Sequence, residues 1–217
     1  MNKEWSEKNK TVQSLIKKRE SFSSGMDALI DLRSCLMETV DSWKDDLNKE
    51  DFSAIPFINA DGYHSKTIAY SLWHIFRIED IVAHTLIKGD EQVFFKGGYK
   101  ERTGSPIITT GNELVKEQIA EFSRQLDIDG LYAYIHEVKN STEEILRSLT
   151  FDDMKRSVSD ERKAALESLN VVSDSEEACW LIGYWCGKDI RGLIQMPFSR
   201  HWIMHIEACI RIIKRLT

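Results

Sequence analysis

The chain has 217 residues, with 29 Lys and Arg against 35 Asp and Glu, a formal net charge of −6 and a pI near 5.6. That balance argues against a nucleic-acid partner, which usually demands clustered cations on one face. Apolar residues make up 42% and charged residues 29%, ordinary for a globular protein of one domain spanning residues 1–217, and three prolines and eleven glycines leave room for long helices.

The opening MNKEWSEKNK lacks the apolar core of a signal peptide. No apolar run approaches the roughly 18 residues of a spanning helix, so no membrane partner and a cytoplasmic location are expected. The first strong periodicity places Leu29, Leu32, Leu36, Val40, Trp43 and Leu47 at alternating steps of three and four. This predicts a helix over about 25 to 47. A second runs over about 62 to 88, with Ile68, Leu72, Ile75, Val82 and Leu86 near one face and Gly89 as its stop.

FFKGGYKERTGSPIITTGNEL, residues 94 to 114, then reads as a glycine-rich connection leading into a shorter helical pattern through Phe122. The third long helix carries Leu131, Ile135, Val138, Thr142, Ile145 and Leu149. After a second long connection, Ser173 with Glu176 resembles a capping box, and an accessory helix is expected over about 175 to 190. Gly183 and Gly187 would let it pack closely on a neighbour. The fourth long helix opens near Pro197 and carries Ile203, Ile206, Ile210 and Ile213. Nothing alternates with period two, so the fold class is all-α, and four long amphipathic helices imply a four-helix bundle.

The six histidines carry the chemistry. His201 and His205, four residues apart, are separated by about 40° on the helical wheel and about 6 Å along the axis, so both rings can reach one ion. They lie in the first turns of the last helix, where the positive end of the helix dipole favours the neutral, ligating imidazole. On its own, such a pair is more often a hydrogen-bonded interior or surface feature. Trp202 stands where a zincin HExxH motif needs its glutamate, which excludes a metalloprotease of that type.

A catalytic metal site needs about three protein ligands and an open position. His74, in SLWHIFRIED beside the apolar stripe of the second helix, is the strongest third candidate; a core histidine bonded to a carbonyl or hydroxyl is the competing reading. His84 lies about 15 Å from His74 along the same helix and cannot share its ion. His64 and His136 read as loop or surface residues.

No general base is evident. Glu207 lies about 200° from His205 on the wheel and Glu79 about 140° from His74, so both read as surface or interhelical ion-pair residues. Trp73, Trp180, Trp185 and Trp202 either wall a substrate pocket or fill the core. Arg77, one turn beyond His74, either receives an anionic substrate or pairs with Asp80 or Asp189. Cys35, Cys179, Cys186 and Cys209 contain no CxxC and read as small reduced core residues.

SLWHIFRIED, followed far downstream by WLIGYWCGKDIRGLIQMPFSRHWIMHIEA, resembles the DinB-like superfamily, a group described as metal-dependent hydrolases. The family pattern is one histidine from the second helix and two, spaced HxxxH, from the last. In this chain those are His74, His201 and His205. The resemblance implies an up-down-down-up bundle, often a homodimer, binding a divalent ion such as zinc or nickel through the three histidines. It also implies a small-molecule substrate: relatives transfer or use low-molecular-weight thiols such as bacillithiol or mycothiol, or isomerise maleylpyruvate.

Two functions therefore compete. One is a metal-dependent hydrolase or thiol transferase with an open coordination position and a pocket including Trp73, Arg77 and Trp202. The other is a non-catalytic dimeric bundle acting as a binding or structural module.

Overall fold

The computed structural model describes residues 2–216, and among them every regular element is helical. Four long helices correspond to the four apolar stripes. With α1 (Lys3–Leu15) before them, they are α2 (Phe22–Asp46), α4 (Ile68–Asp80, extended by the π-helical turn described below), α8 (Ile128–Ser148) and α12 (His201–Leu216); shorter helices α3 (Lys49–Ser53), α5 (Val93–Lys96), α6 (Tyr99–Thr103), α7 (Glu117–Gln125), α9 (Asp160–Ser168), α10 (Trp180–Cys186) and α11 (Ile190–Gln195) lie between them. α4 packs against α8 and α12, and α2 packs against the same two helices. Leu29, Leu32, Leu36, Val40, Leu72, Ile75, Val82, Leu131, Ile135, Val138 and Ile206 are all buried between them. No described helix is long and apolar enough to cross a membrane.

Local chemistry sets the helix limits. α4 begins at Ile68 rather than near 62 because Thr67 caps it, its hydroxyl accepting from the Tyr70 N–H at 3.0 Å. It then continues as a π-helical turn over Ile81–Lys88 and stops at Gly89, whose φ of 78° is left-handed. α12 is likewise preceded by a π-helical turn, Met196–Arg200, that contains Pro197.

The expected accessory helix over 175 to 190 is instead two pieces, α10 and α11. The Ser173 hydroxyl accepts from Ser175 N–H, which makes a local turn rather than a capping box. Gly187 ends α10, and the Asp189 carboxylate caps α11 by accepting from Gly192 N–H at 2.8 Å. A Cβ at Gly183 would meet nothing within 4 Å, so close packing does not require that glycine.

α1 lacks an apolar stripe dense enough to predict it: Trp5 stands two turns before Val12 and Ile16 one turn after it, yet all three are buried. α1 folds back on α2, where a Cβ at Gly25 would lie 2.8 Å from the Ile16 side chain.

One buried polar group joins all four long helices. The Arg33 guanidinium on α2 donates to both carboxylate oxygens of Glu79 on α4, at 2.9 and 2.7 Å, and to Glu143 on α8 at 3.4 Å. Trp202 of α12 donates its indole N–H to Glu79 at 2.8 Å, and its ring lies under the guanidinium, 4.4 Å from centroid to Cζ. Arg33 and Glu79 have no solvent exposure. Burial alone lowers the Arg33 pKa, but the charges of Glu79 and Glu143 outweigh it and leave the group raised, hence ionised.

Removing one member of such a pair strands a buried charge and typically costs about 3–5 kcal/mol, whereas replacing both with apolar residues is far cheaper. Chemical denaturation should therefore show Arg33→Met and Glu79→Leu each lowering stability by about that amount. The double variant should lose much less than the two losses combined; additive losses would show that the pair does not act as a unit.

Candidate metal centre

The site is built from α4 and α12 by a loop laid along α4. Tyr70, Trp73, His74 and Arg77 stand at helical steps i, i+3, i+4 and i+7, so they share one face. That face takes the four successive carbonyls of residues 108 to 111. Tyr70 Oη donates to Gly111 O at 3.0 Å, Trp73 Nε1 to Thr109 O at 3.1 Å, His74 Nδ1 to Thr110 O at 2.8 Å, and Arg77 Nε to Ile108 O at 2.8 Å. Gly111 is required at the end of this clamp, because its φ is 78° and a Cβ would stand 3.0 Å from the Tyr70 ring.

A carbonyl can only accept, so His74 carries its proton on Nδ1 and presents Nε2 as a free lone pair. Tyr70 stacks on the same ring with 5.6 Å between centroids and fixes its plane.

His201 and His205 come from the first turns of α12, and both face His74. Ring centroids are 5.0 Å apart for His74 and His201, 4.8 Å for His74 and His205, and 4.6 Å for the α12 pair. One ligand atom from each lies within 4.8 Å of the others. A point equidistant from three such atoms is no more than about 2.8 Å from each, against a zinc–nitrogen bond of about 2.0–2.1 Å, so ring rotations of under about 1 Å would close the site.

The donor set fits a divalent ion in a second respect. All three rings are buried, yet Nδ1 of His201 and both nitrogens of His205 have no hydrogen-bond partner. Buried polar atoms are almost always paired, and unpartnered nitrogens on imidazoles that converge are what ligands lacking their ion look like. Cys209, one turn beyond His205, is not one of the residues whose ligand atoms converge, and burial pushes its thiol up to about 12.

The remaining histidines stand apart. His84 has both nitrogens engaged, with Asp90 at 2.7 Å and Ser141 at 3.0 Å. His64 meets Arg211, and exposed His136 meets Asp41.

One side of the histidine group opens on a cavity of about 330 Å³, lined by His74, His201 and, among others, Trp180, Trp185, Tyr63 and Asn112. Trp73, Arg77 and Trp202, expected in a substrate pocket, are not among the lining residues. Trp73 packs on Phe94 and Phe122, Arg77 meets Asp80 and the Ile108 carbonyl, and Trp202 belongs to the Arg33 network. Helical spacing places them beside the ligands but cannot tell the core side from the cavity side.

Tyr63 and Asn112 were not anticipated. Tyr63 lies in a short 3₁₀ turn and Asn112 in a loop, and no periodicity brings them to the histidines. Glu79 is the interhelical ion-pair residue described above, and Glu207 accepts from the Asn2 backbone N–H. Of the cysteines expected in the core, Cys209 is buried, Cys35 and Cys186 are partly so, and Cys179 is exposed. The sequence matches no protein-family model, and no curated protein matches it.

Burial lowers the pKa of each ring, to about 4 for His74 and well below the usual value for His201 and His205, where the neighbouring histidines add to the effect. The unfolded chain therefore takes up protons first as pH falls. Stability of metal-free protein should be complete above about pH 6.5 and drain away as pH falls towards 4, by roughly 3 kcal/mol from His74 alone. Denaturation midpoints of chelator-treated protein should show this slope, and a His74→Gln/His201→Gln/His205→Gln variant should flatten it. An equally steep variant would assign the acid sensitivity elsewhere.

Proposed function

We propose that the protein binds one divalent metal ion per chain through His74, His201 and His205. In this reading it is a DinB-like metal-dependent enzyme acting on a small molecule, either a hydrolase or a low-molecular-weight-thiol transferase. The reading includes an up-down-down-up bundle of α2, α8, α4 and α12, a homodimeric cytoplasmic protein, and zinc or nickel as the ion. The observation that carries it is the convergence of three buried imidazoles whose free nitrogens have no protein partner.

A bound divalent ion would supply a Lewis acid able to lower the pKa of a coordinated water or thiol into the neutral range. The chain's own residues set the conditions. The Thr110 carbonyl holds His74 in the tautomer that leaves Nε2 free, the usual arrangement by which a second group orients a ligating histidine. The low pKa values keep the rings neutral and available at physiological pH.

Trp185, Ile78 and Leu181 give the cavity dry walls, and the Asn112 amide offers a hydrogen bond to substrate. Among the described residues the histidine group contains no carboxylate or thiol. An ion held by the three histidines alone would keep a position for water or substrate, which favours catalysis over a closed structural site.

Purified protein reconstituted with zinc or nickel and dialysed should retain about one ion per chain by elemental analysis. His74→Ala, His201→Ala and His205→Ala should each abolish tight retention while the helical circular dichroism spectrum persists. Retention by all three single variants, or no uptake by the parent protein, would refute the proposal.

A further inference from the structure

The cavity above the histidines says what kind of molecule can enter it. Its floor is His74 and His201, and its walls come from three places: Trp180, Leu181, Tyr184 and Trp185 on α10, Met196 and Pro197 on the π-helical turn, and Tyr63 and Ile78 opposite. Among the described residues no Asp, Glu, Lys or Arg lines it. Asn112 brings the one side-chain amide, and its carbonyl oxygen already accepts from the Thr110 hydroxyl at 2.8 Å, so what it has to offer a ligand is its NH₂ donor.

The mouth is aromatic. Trp180 is 52% exposed and Tyr184 36%, with their rings edge to face at 5.7 Å. The Trp180 indole N–H is spent on the Glu177 carbonyl at 2.9 Å, so the surface this residue presents is apolar. α10, which carries both, packs chiefly on α9.

We infer that this cavity selects an uncharged aromatic molecule, one ring in size, with a hydrogen-bond-accepting head group directed at Asn112 and the histidines. The inference rests on reading the cavity as the substrate chamber of the proposed enzyme, and names its substrate class. An anion seated among the lining residues would bury its charge against apolar walls, since neither Lys188, held against the Tyr184 ring, nor Lys66, held against the Tyr70 ring, is one of them. A cation held by an aromatic cage is disfavoured too, because the Lys188 ammonium already sits 4.2 Å from the Tyr184 ring centroid. A volume of about 330 Å³ is at the small end of ligand cavities, which suits a single ring with a short substituent. Edge and face contacts from Trp180, Trp185 and Tyr63 reward a flat aromatic ring over a flexible chain.

Benzamide, benzoate and benzamidine share one shape and differ in charge. Titrated calorimetrically into the chelator-treated full-length protein, where no metal can attract the anion, benzamide should bind at least about ten-fold more tightly than either charged analogue. Trp180→Ala/Tyr184→Ala, at two exposed positions, should weaken benzamide by at least about five-fold while leaving zinc stoichiometry unchanged. Asn112→Ala should weaken it as well. Benzoate or benzamidine binding as tightly as benzamide, indifference of the double variant, or binding of none of the three would overturn the inference. Benzamide selectivity in a protein that takes up no metal would refute the metal reading and leave the cavity assignment standing. One ion per chain without benzamide selectivity would do the reverse.

Discussion

The Arg33–Glu79 ion pair, with Trp202 hydrogen-bonded to the same carboxylate, is the constraint on which the rest of the structure depends. A salt bridge this deep adds little net stability compared with apolar packing, but a mismatch is expensive. It therefore acts on register. Glu79 is five residues from His74 on α4, and Trp202 directly follows His201 on α12. With the carboxylate holding the indole, α4 and α12 cannot slide by a turn without stranding a charge, and the three imidazoles are kept at one height.

The second constraint is the loop that α4 clamps by four side chains. Its physical logic is that an irregular segment passing over a buried helix must place its carbonyls somewhere. Here Tyr70, Trp73, His74 and Arg77 take them in turn. Three of those contacts serve packing. The fourth uses up Nδ1 of His74 and leaves Nε2 with no partner from the chain. The result is a locally unfavourable arrangement, since His201 and His205 beside it also keep buried nitrogens without partners, each costing about 1–3 kcal/mol if nothing satisfies it. A divalent ion held by one nitrogen of each ring would relieve part of that cost.

Much of the scaffold was legible because the long helices carry dense apolar stripes, and the three-histidine group was legible because HxxxH on one helix and a histidine beside the stripe of another are periodic features. The walls of the cavity were not. Tyr63 sits in a short 3₁₀ turn, Asn112 in the clamped loop, and α10 is brought in by contacts distant in sequence. Trp73, Arg77 and Trp202 misled for a related reason. Spacing fixes which residues are neighbours on a helix, whereas the choice between core and cavity depends on what the facing elements supply, here Phe94, Ile108 and Glu79. The split of the expected accessory helix likewise turns on Asp189, which caps α11 and makes a new start.

X-ray absorption at the zinc edge of the reconstituted protein tests the coordination sphere itself. The account predicts a first shell of nitrogen and oxygen near 2.0–2.1 Å, with outer-shell scattering from three imidazoles and one further light ligand, and no sulfur at about 2.3 Å. A shell of oxygens without imidazole scattering, or one containing sulfur, would contradict it.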